Sequence, residues 1–306
     1  MTEFAIEAHG LGRDYRARTA VAAVDLHVNS GEFFGFLGPN GAGKTTTIHM
    51  LTTLLRPTRG RALVAGHDIL ARPLDVRREI GLVFQETTLD GELTAEENLR
   101  FAARLYGLSR SETAHRVEDA LSLFDLQSRR ADRARTLSGG MRRALDLARG
   151  VLHRPRILFL DEPTIGLDPV NRRTVWDYLA RIRDQGTTMF LTTHYLDEAD
   201  ACDRVAIVDH GAIIAQGTPE DLKRSLGAES IELEADPVDQ ALLDEVRRLS
   251  GVEPVRTERG VVLTLDQTGP ALQALLPLVN GRIKSASVRR PSLEDVFVSL
   301  MRARRP

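Results

Sequence analysis

The sequence predicts an α/β protein with a parallel sheet at its centre, followed by a smaller α+β domain. An apolar run, Phe33–Leu37, precedes a glycine-rich segment and a helical pattern, Thr45–Leu55, an order typical of strand, loop and helix. Two further apolar runs lead into polar residues, as buried parallel strands do at the edge of a site: Ile157–Asp161 ends in an aspartate, and Thr188–Leu191 is followed by Thr192–His194. After Gly227, short strand and helix patterns alternate, which predicts the second domain.

Length and composition indicate a globular protein. The chain has 306 residues, of which 42% are hydrophobic and 27% charged, and this length favours about two domains. The net charge of -2 argues against a nucleic-acid-binding surface, which needs a basic excess for its phosphate contacts. The single cysteine, Cys202, indicates a reducing compartment. With neither an apolar run long enough to span a bilayer nor a secretory signal, we expect a soluble cytoplasmic protein.

A glycine-rich segment follows the first predicted strand. Gly38, Gly43, Lys44 and Thr45 have the spacing G-x-x-x-x-G-K-[ST], in which backbone N–H groups and a helix N-terminus surround a phosphate. Lys44 is a compact charge that can reach the β and γ phosphates, and the Thr45 hydroxyl can bind Mg²⁺. The flanking strand and helix favour this interpretation over a glycine-rich turn with a chance lysine.

Two acids and a histidine follow the other predicted strands. Asp161 ends one strand, and the carboxyl ends of parallel strands meet at one edge of the sheet, so we expect Asp161 on the metal side of a bound nucleotide. Glu162, the next residue, is placed to hold or deprotonate an attacking water. His194 follows a strand at the same edge; a lone histidine is more often structural, but this position favours a role in the site.

The segment Thr136–Arg143 predicts a second anion site before a helical pattern, Ala144–Val151. Ser138 is a good N-cap, and the two glycines after it expose backbone donors. A plain helix cap would have the same pattern, so the segment is informative mainly because it lies shortly before Asp161.

Taken in order, these motifs resemble the ATP-binding subunit of an ATP-binding-cassette (ABC) transporter, from about Phe4 to Leu226. The resemblance implies a P-loop NTPase fold, an ABC cassette with a helical insertion, and binding of ATP and Mg²⁺. It adds Gln85 as the Q-loop glutamine, Asp168 as the D-loop residue and Tyr15 as an aromatic ring stacked on adenine. The implied site residues are Glu162, His194 and Lys44 for catalysis; Tyr15, Gly38, Pro39, Asn40, Gly41, Ala42, Gly43, Lys44, Thr45, Thr46, Gln85, Ser138, Gly139, Gly140 and Asp168 for the nucleotide; and Thr45, Gln85 and Asp161 for Mg²⁺.

The segment Leu137–Met141 resembles the family's signature motif, and one of its positions departs from the commonest pattern. The family's signature usually ends in glutamine, whereas this chain has Met141 followed by two arginines. That form resembles the branch typified by daunorubicin/doxorubicin-resistance ATP-binding proteins, as does the tail segment Pro291–Phe297, which a plain amphipathic helix would also explain. Ser138 and Gly140, the residues that face the phosphate in the family, are present, so we expect ATP hydrolysis to be retained. The polar contacts that the family's glutamine makes are not expected of Met141.

The predicted domains are an ABC cassette at 1–227, with a helical subdomain at about 86–150, and an α+β domain of ferredoxin-like type at 228–306. In the helical subdomain, Thr94–Leu105 and Arg116–Leu126 have helical spacing. The C-terminal domain has strand patterns at Ser230–Glu234, near Val255, at Val261–Leu265 and at Ile283–Val288, and helical patterns at Val238–Leu249, Pro270–Val279 and Ser292–Met301.

The resemblance implies an ATPase that energises export of a drug, an antibiotic or another small amphipathic compound. A separate polytopic permease would supply the membrane path, so the chain would be peripheral at the cytoplasmic face of the membrane. The segment Glu86–Leu105 is expected to receive a cytoplasmic helix of that permease. A second copy would complete an ATP-sandwich homodimer, with Ser138 of one copy facing the γ-phosphate of the other and Asp168 at the interface.

Other functions of the ABC family remain open at this point. They are an importer, a lipid or polysaccharide exporter, and a non-transport ABC ATPase that acts as a nucleotide-switched binding factor. The sequence has one match to the family's Walker A loop, Gly38–Thr46, and one signature motif, which argues against a two-cassette translation factor. The lack of sustained heptads argues against a chromosome ATPase. We expect no nucleic acid partner and no metal other than Mg²⁺.

Overall fold

The computed structural model describes residues 4–16, 18–226, 229–257, 259–265, 268–278 and 282–303. It consists of two compact units, Met1–Gly217 and Thr218–Pro306. The predicted boundary residue, Gly227, lies outside the described residues, and the division falls before it. The reason is the helix Pro219–Arg224, which packs against the C-terminal helix Leu293–Ala303 and so belongs to the second unit.

A ten-stranded sheet and its covering helices make up the described part of the first unit. The strands are β1 (Phe4–Tyr15), β2 (Arg18–Asn29), β3 (Phe33–Leu37), β4 (Arg59–Val64), β5 (His67–Asp68), β6 (Ile80–Val83), β7 (Ile157–Asp161), β8 (Thr188–Thr193), β9 (Arg204–Asp209) and β10 (Ala212–Gly217). The helices are α1 (Lys44–Leu51), α2 (Pro73–Glu79), α3 (Ala95–Leu105), α4 (Arg110–Leu123), α5 (Gly139–Val151), α6 (Pro169–Asp184) and α7 (Leu196–Ala199). Short 3₁₀ turns lie at Gln127–Arg129 and Ala134–Thr136.

The strand order brings the predicted site segments to one edge of the sheet. The order is β5-β4-β1-β2-β10-β9-β3-β8-β7-β6, with β3, β8, β7 and β6 joined by parallel pairing. In this register Leu37 pairs with Thr193 and Asp161 with Thr192, so the glycine-rich loop, Asp161 and His194 all follow neighbouring strand ends. The predicted α/β class with a parallel centre is therefore confirmed, and β1, β2 and β4 extend the sheet by antiparallel pairing.

Aromatic rings of the central strands pack against one another. The ring of Phe190 on β8 lies 5.7 Å from the ring of Phe34 on β3 and 5.5 Å from that of Phe159 on β7. Behind β3, a Cβ atom at Gly35 would lie 3.1 Å from the Sγ atom of Cys202, so this strand packs closely against the thiol. Cys202 is only 5% exposed, and burial raises the pKa of its thiol well above the usual value.

Helix ends in the first unit differ from the predicted ones, and each difference has a local cause. Helix α4 begins at Arg110, not at Arg116, because Ser109 and Glu112 form a capping box. Helix α5 begins at Gly139, directly after its cap Ser138, and not at Ala144. Helix α1 ends at Leu51, not Leu55, and Thr53 beyond it has a positive φ of 64° that an α-helix does not accommodate.

The second unit contains a four-stranded antiparallel sheet. Its elements are α8 (Pro219–Arg224), β11 (Glu229–Glu234), α9 (Gln240–Ser250), β12 (Val255–Arg256), β13 (Gly260–Leu265), α10 (Thr268–Leu275), a 3₁₀ turn (Leu276–Leu278), β14 (Ser285–Arg289) and α11 (Leu293–Ala303). The strand order β12-β13-β11-β14, all antiparallel, is that of a split βαβ arrangement, which agrees with the predicted ferredoxin-like type. Ile231, Leu242 and Leu263 are completely buried in its core. The helix predicted for Pro270–Val279 begins at Thr268, and Val279 lies outside the described residues.

Among the described residues, no helix is long and apolar enough to cross a membrane.

Candidate functional site

The loop between β3 and α1 has the backbone geometry that its glycines predict. Gly41 and Gly43 have φ angles of 82° and 101°, a left-handed region that other residues rarely adopt. A Cβ atom at Gly38 would lie 2.3 Å from the carbonyl oxygen of Val208, so no larger residue fits there. The loop therefore needs glycine at both of its ends, and the N-terminus of α1 follows directly at Lys44.

An open cavity of about 580 Å³ lies over this loop. Its walls are formed by Tyr15, Arg18, Ala20, Asn40, Gly41, Gly43, Lys44, Thr45, Thr46, Gln85, Glu162 and Ile165. The structure thus brings Gln85 and Glu162, which are far apart in the sequence, to the predicted loop residues. Tyr15 is 45% exposed at the rim, with the Arg13 guanidinium 4.8 Å from its ring centroid. Arg18 was not predicted; it lies beside Tyr15 because the two residues pair across the β1–β2 turn.

Lys44 is held inside the loop as a buried cation. Its Nζ atom donates to the carbonyl oxygens of Gly38, at 2.8 Å, and Pro39, at 3.3 Å. The same atom lies 3.2 Å from Oε1 of Glu162, and the two side chains are 5% and 9% exposed. The lysine and the glutamate are therefore ion-paired across the cavity.

Asp161 lies beneath the loop, hydrogen-bonded to two hydroxyl groups. Its Oδ1 atom accepts from Oγ1 of Thr192, at 2.5 Å, and from Oγ1 of Thr45, at 3.3 Å. Asp161 is 2% exposed. A carboxylate and a hydroxyl this close together are the hard oxygen ligands that suit Mg²⁺ beside a phosphate, so these residues fit such an ion. The sequence analysis did not identify Thr192, since its contact depends on the pairing of β7 with β8.

Glu162 has an unusual backbone conformation that directs its side chain. Its φ angle is 45°, which for a residue other than glycine costs about 1–3 kcal/mol. The N–H group is shared between the carbonyl and hydroxyl oxygens of Thr192, each at 3.1 Å, and this stabilises the bend. Beyond the bend, Oε2 of Glu162 lies 3.3 Å from Nδ1 of His194, which makes no aligned hydrogen bond. His194 therefore contacts Glu162, as its strand-end position predicts.

Ser138, Gly139, Gly140 and Asp168 do not line the cavity. Ser138 is exposed and caps α5 by accepting from the N–H of Met141 at 3.2 Å. Asp168 caps α6: the N–H groups of Asn171 and Val170 donate to it, each at 3.0 Å, and hold the pKa of its carboxyl below the usual value.

Asn171 links these two helix caps. Its side-chain amide donates to Asp168, and a Cβ atom at Gly140 would lie 2.0 Å from its Oδ1 atom. Ser138 and Asp168 are both exposed, and the signature segment and the cap of α6 thus form one surface, which does not line the cavity over the glycine-rich loop.

Glu198 is a second buried residue that the sequence analysis missed. It is 3% exposed; its Oε2 atom accepts from Thr193 at 2.7 Å, and Oε1 accepts from Thr164. Thr193 precedes His194, and Thr164 follows Glu162 after one residue, so Glu198 ties these two backbone segments together. The only hint in the sequence was that Glu198 lies four residues after His194. This spacing is too common to identify Glu198 as part of the site.

This geometry can hold the phosphates of a nucleoside triphosphate on the loop and deliver a carboxylate and a histidine to the far phosphate. The protein is accordingly a P-loop nucleotide-binding protein with a hydrolytic centre. Residues 21–165 match the family model described as ABC transporter, and residues 217–301 match the one described as ATP-binding protein DrrA1-3-like, C-terminal domain. The chain belongs to the ABC transporter ATP-binding protein family, as relatives that match nearly its full length show, and it is an ATPase that binds ATP.

Similar proteins cover almost the whole chain. It is 42% identical over 310 residues to the daunorubicin/doxorubicin resistance ATP-binding protein DrrA of Streptomyces peucetius, spanning 97% of this chain and 92% of that protein. It is 34% identical over 304 residues to the linearmycin resistance ATP-binding protein LnrL of Bacillus subtilis, spanning 96% and 97%. The predicted resemblance to the drug-resistance branch is therefore confirmed.

Solved structures resemble the first unit. The ATP binding subunit of an ABC transporter superposes with a TM-score of 0.66 at 33% identity, covering 72% of this chain and 93% of that one. The ATP-binding cassette MJ0796, in a dimeric post-hydrolysis state bound to ADP and Pi, gives a TM-score of 0.64 at 25% identity, covering 70% and 98%. The predicted ABC cassette fold is confirmed by these similarities.

Proposed function

We propose that this ATPase energises export of a drug, an antibiotic or another small amphipathic compound through a separate polytopic permease, at the cytoplasmic face of the membrane. The observation that carries the proposal is the similarity to drug-resistance ATP-binding proteins over nearly the full length, including the second unit. Import, lipid or polysaccharide export and a non-transport role are not better supported by the relatives than drug export is.

The site residues have distinct proposed roles in hydrolysis. Tyr15 stacks on adenine, residues 38–46 surround the phosphates, and Lys44 exchanges its bond with Glu162 for the β and γ phosphates. Glu162, freed from that ion pair, orients a water and takes its proton, while His194 steadies the carboxylate and the terminal phosphate.

Mg²⁺ completes the proposed site. Thr45, Gln85 and Asp161 would hold it, and the ion would neutralise charge on the phosphates. The Thr45–Asp161 hydrogen bond supports this assignment, because it already brings two oxygen ligands together.

A second copy of the chain completes the proposed active site. Ser138, Gly139, Gly140 and Asp168 lie outside the chain's own cavity, yet the exposed N-terminus of α5 is suited to an anion. In a two-fold dimer the signature segment of each copy would contact the γ-phosphate bound by the other. The dimeric state of the similar cassette MJ0796 supports this arrangement.

The substitution Ser138→Arg should abolish the ATP-dependent dimer while the chain still binds nucleotide. In a Glu162→Gln background that retains ATP, the parent protein is expected to elute at dimer mass with MgATP, and the Ser138→Arg double variant at monomer mass. At high dilution, where neither protein dimerises, both should bind a fluorescent ATP analogue with equal affinity, because Ser138 does not line the chain's own cavity. Full ATPase activity per chain at high dilution, where only monomers exist, would contradict the dimer.

An exposed apolar pair on α3 is the proposed docking surface for the permease. Phe101 and Leu105 are 56% and 72% exposed and one helical turn apart, whereas Leu99 and Ala103 on the opposite face are completely buried. The pair lies within the segment expected to follow Gln85 and receive the permease. A cytoplasmic helix of a membrane protein, with one apolar face, is the partner that this surface suits.

The double substitution Phe101→Arg and Leu105→Arg should uncouple hydrolysis from export. We expect soluble ATPase activity within about twofold of the parent, since neither side chain reaches the cavity, and loss of efflux from cells that carry the permease. Leu74→Arg on α2 is the matched control, because Leu74 is 64% exposed but far from α3 in the sequence, and it should keep both activities. Normal efflux by the double variant, or equal loss in the control, would count against this surface.

A further inference from the structure

Helix α5 carries two charged residues that are fully enclosed. Arg143 is 3% exposed and Asp146 is 0% exposed, and charges are rarely buried to this extent unless they are paired. Burial acts against both charges, because it lowers the pKa of the Arg143 guanidinium and raises the pKa of the Asp146 carboxyl. The contacts that offset the cost of burying these charges therefore indicate the role of the pair.

The Arg143 guanidinium joins two segments of the proposed active site. Its Nε atom donates to the carbonyl oxygen of Pro163 at 2.5 Å, and Nη2 lies 3.5 Å from that of Glu162. Its Nη1 atom donates to the carbonyl oxygen of Phe84 at 2.6 Å, and Phe84 immediately precedes Gln85. The planar guanidinium, with N–H donors in a fixed fork geometry, thus holds the backbone at Glu162 and the backbone beside Gln85 together. A lysine, with a single nitrogen, cannot make the same set of bonds.

Asp146 extends these contacts along the helix. Its Oδ2 atom lies 3.4 Å from Nη1 of Arg143, and its Oδ1 atom accepts from Nη2 of Arg149 at 2.8 Å. Arg149 in turn donates to the carbonyl oxygen of Thr88 at 2.7 Å and also to the Thr88 hydroxyl. The α5 ladder, which consists of Arg143, Asp146 and Arg149, therefore holds the segment 84–88 at both of its ends.

The same helix begins at the signature residue. Ser138 caps α5, and Arg143 lies little more than one helical turn further along. A displacement of α5 caused by an anion at its N-terminus would consequently pull on the carbonyls of Phe84 and Pro163 at once. An ion pair with a purely structural role would need hydrogen-bond partners of any kind. The donors of Arg143 instead bind the backbone beside Glu162 and beside Gln85.

We propose that Arg143 is a positioning residue for ATP hydrolysis, which sets the backbone of Glu162 relative to the Gln85 segment and makes both respond together to movement of α5. The inference rests on the proposed roles of Glu162 and Gln85.

The test uses Arg143→Lys, which keeps the charge and loses the fork. We expect kcat to fall by about tenfold or more, with the KM for ATP within about twofold of the parent, because the phosphate loop is untouched. In hydrogen exchange of the nucleotide-free protein, segments 84–88 and 162–165 should lose protection together by about tenfold, while the rest of α5 keeps its protection. Arg181→Lys is the matched control, since it removes an arginine bond to the Leu123 carbonyl away from the site and should change none of these values.

Several outcomes separate this proposal from the proposed function. A kcat of Arg143→Lys equal to that of the parent, with Glu162→Gln inactive, overturns the positioning role alone. Rapid hydrolysis by Glu162→Gln overturns the proposed role of Glu162 instead, and exchange in nucleotide-free Arg143→Lys still reports whether the two segments loosen together. Should Arg143→Lys fail to fold, Asp146→Asn is expected to give the same paired loss of protection on a smaller scale, and an unchanged exchange pattern there overturns the proposal.

Discussion

Replacement of Glu162 by glutamine is expected to lower kcat by about 100-fold or more while ATP binding is retained. The amide keeps the size of the side chain but cannot accept the proton of an attacking water. It also removes the negative charge that lies 3.2 Å from Nζ of Lys44, so the lysine is released for the phosphates and ATP affinity should stay equal or rise. The measurements are steady-state phosphate release and equilibrium binding of ATP on the same purified variant.

The control for this variant is Glu118→Gln on α4, where the exposed carboxylate pairs with Arg130. It should leave both kcat and ATP affinity unchanged. Hydrolysis by Glu162→Gln at the parental rate would reject Glu162 as the base, and loss of ATP binding would indicate that the carboxylate supports the loop.

Removal of the Lys44 side chain should abolish productive nucleotide binding. Lys44→Ala takes the cation from the phosphates and leaves a nearly buried Glu162 carboxylate that would repel them, so kcat/KM should fall by about 100-fold or more. With MgATP at 100 times its Kd, the parent should melt about 5–10 °C higher than without it, and the variant should show no such shift. Lys284→Ala, which removes an exposed lysine of the second unit, should keep the full shift. A normal shift in Lys44→Ala would be inconsistent with the proposed contact.

The parts of the site that the sequence predicts are those fixed by local chemistry. Few loops other than a phosphate-binding loop combine glycines at fixed spacing with a lysine at the start of a helix. Gly38, Gly43 and Lys44 could therefore be identified from their spacing alone. Asp161 and His194 followed from a topological rule, because Asp161 ends one buried strand, His194 directly follows another, and parallel strand ends share one edge.

What the sequence could not predict depends on contacts between distant segments. Arg143 lies in a recognisable motif, but its carbonyl partners come from two other segments, and no periodicity reveals them. The left-handed backbone of Glu162 likewise depends on Thr192 of the neighbouring strand. The early start of α4 is different: Ser109 and Glu112 of its capping box are only three residues apart, so that signal was available in the sequence.

The buried thiol behind β3 has a practical consequence for spectroscopy. Cys202 is the chain's single cysteine, and both its 5% exposure and its raised pKa keep it from forming the reactive thiolate. A cysteine introduced at an exposed position therefore becomes the preferred target for a maleimide dye or a spin label, with the natural residue left in place. Labels at Val170, which is 75% exposed beside Asp168, would then report the distance between two copies in an otherwise native protein.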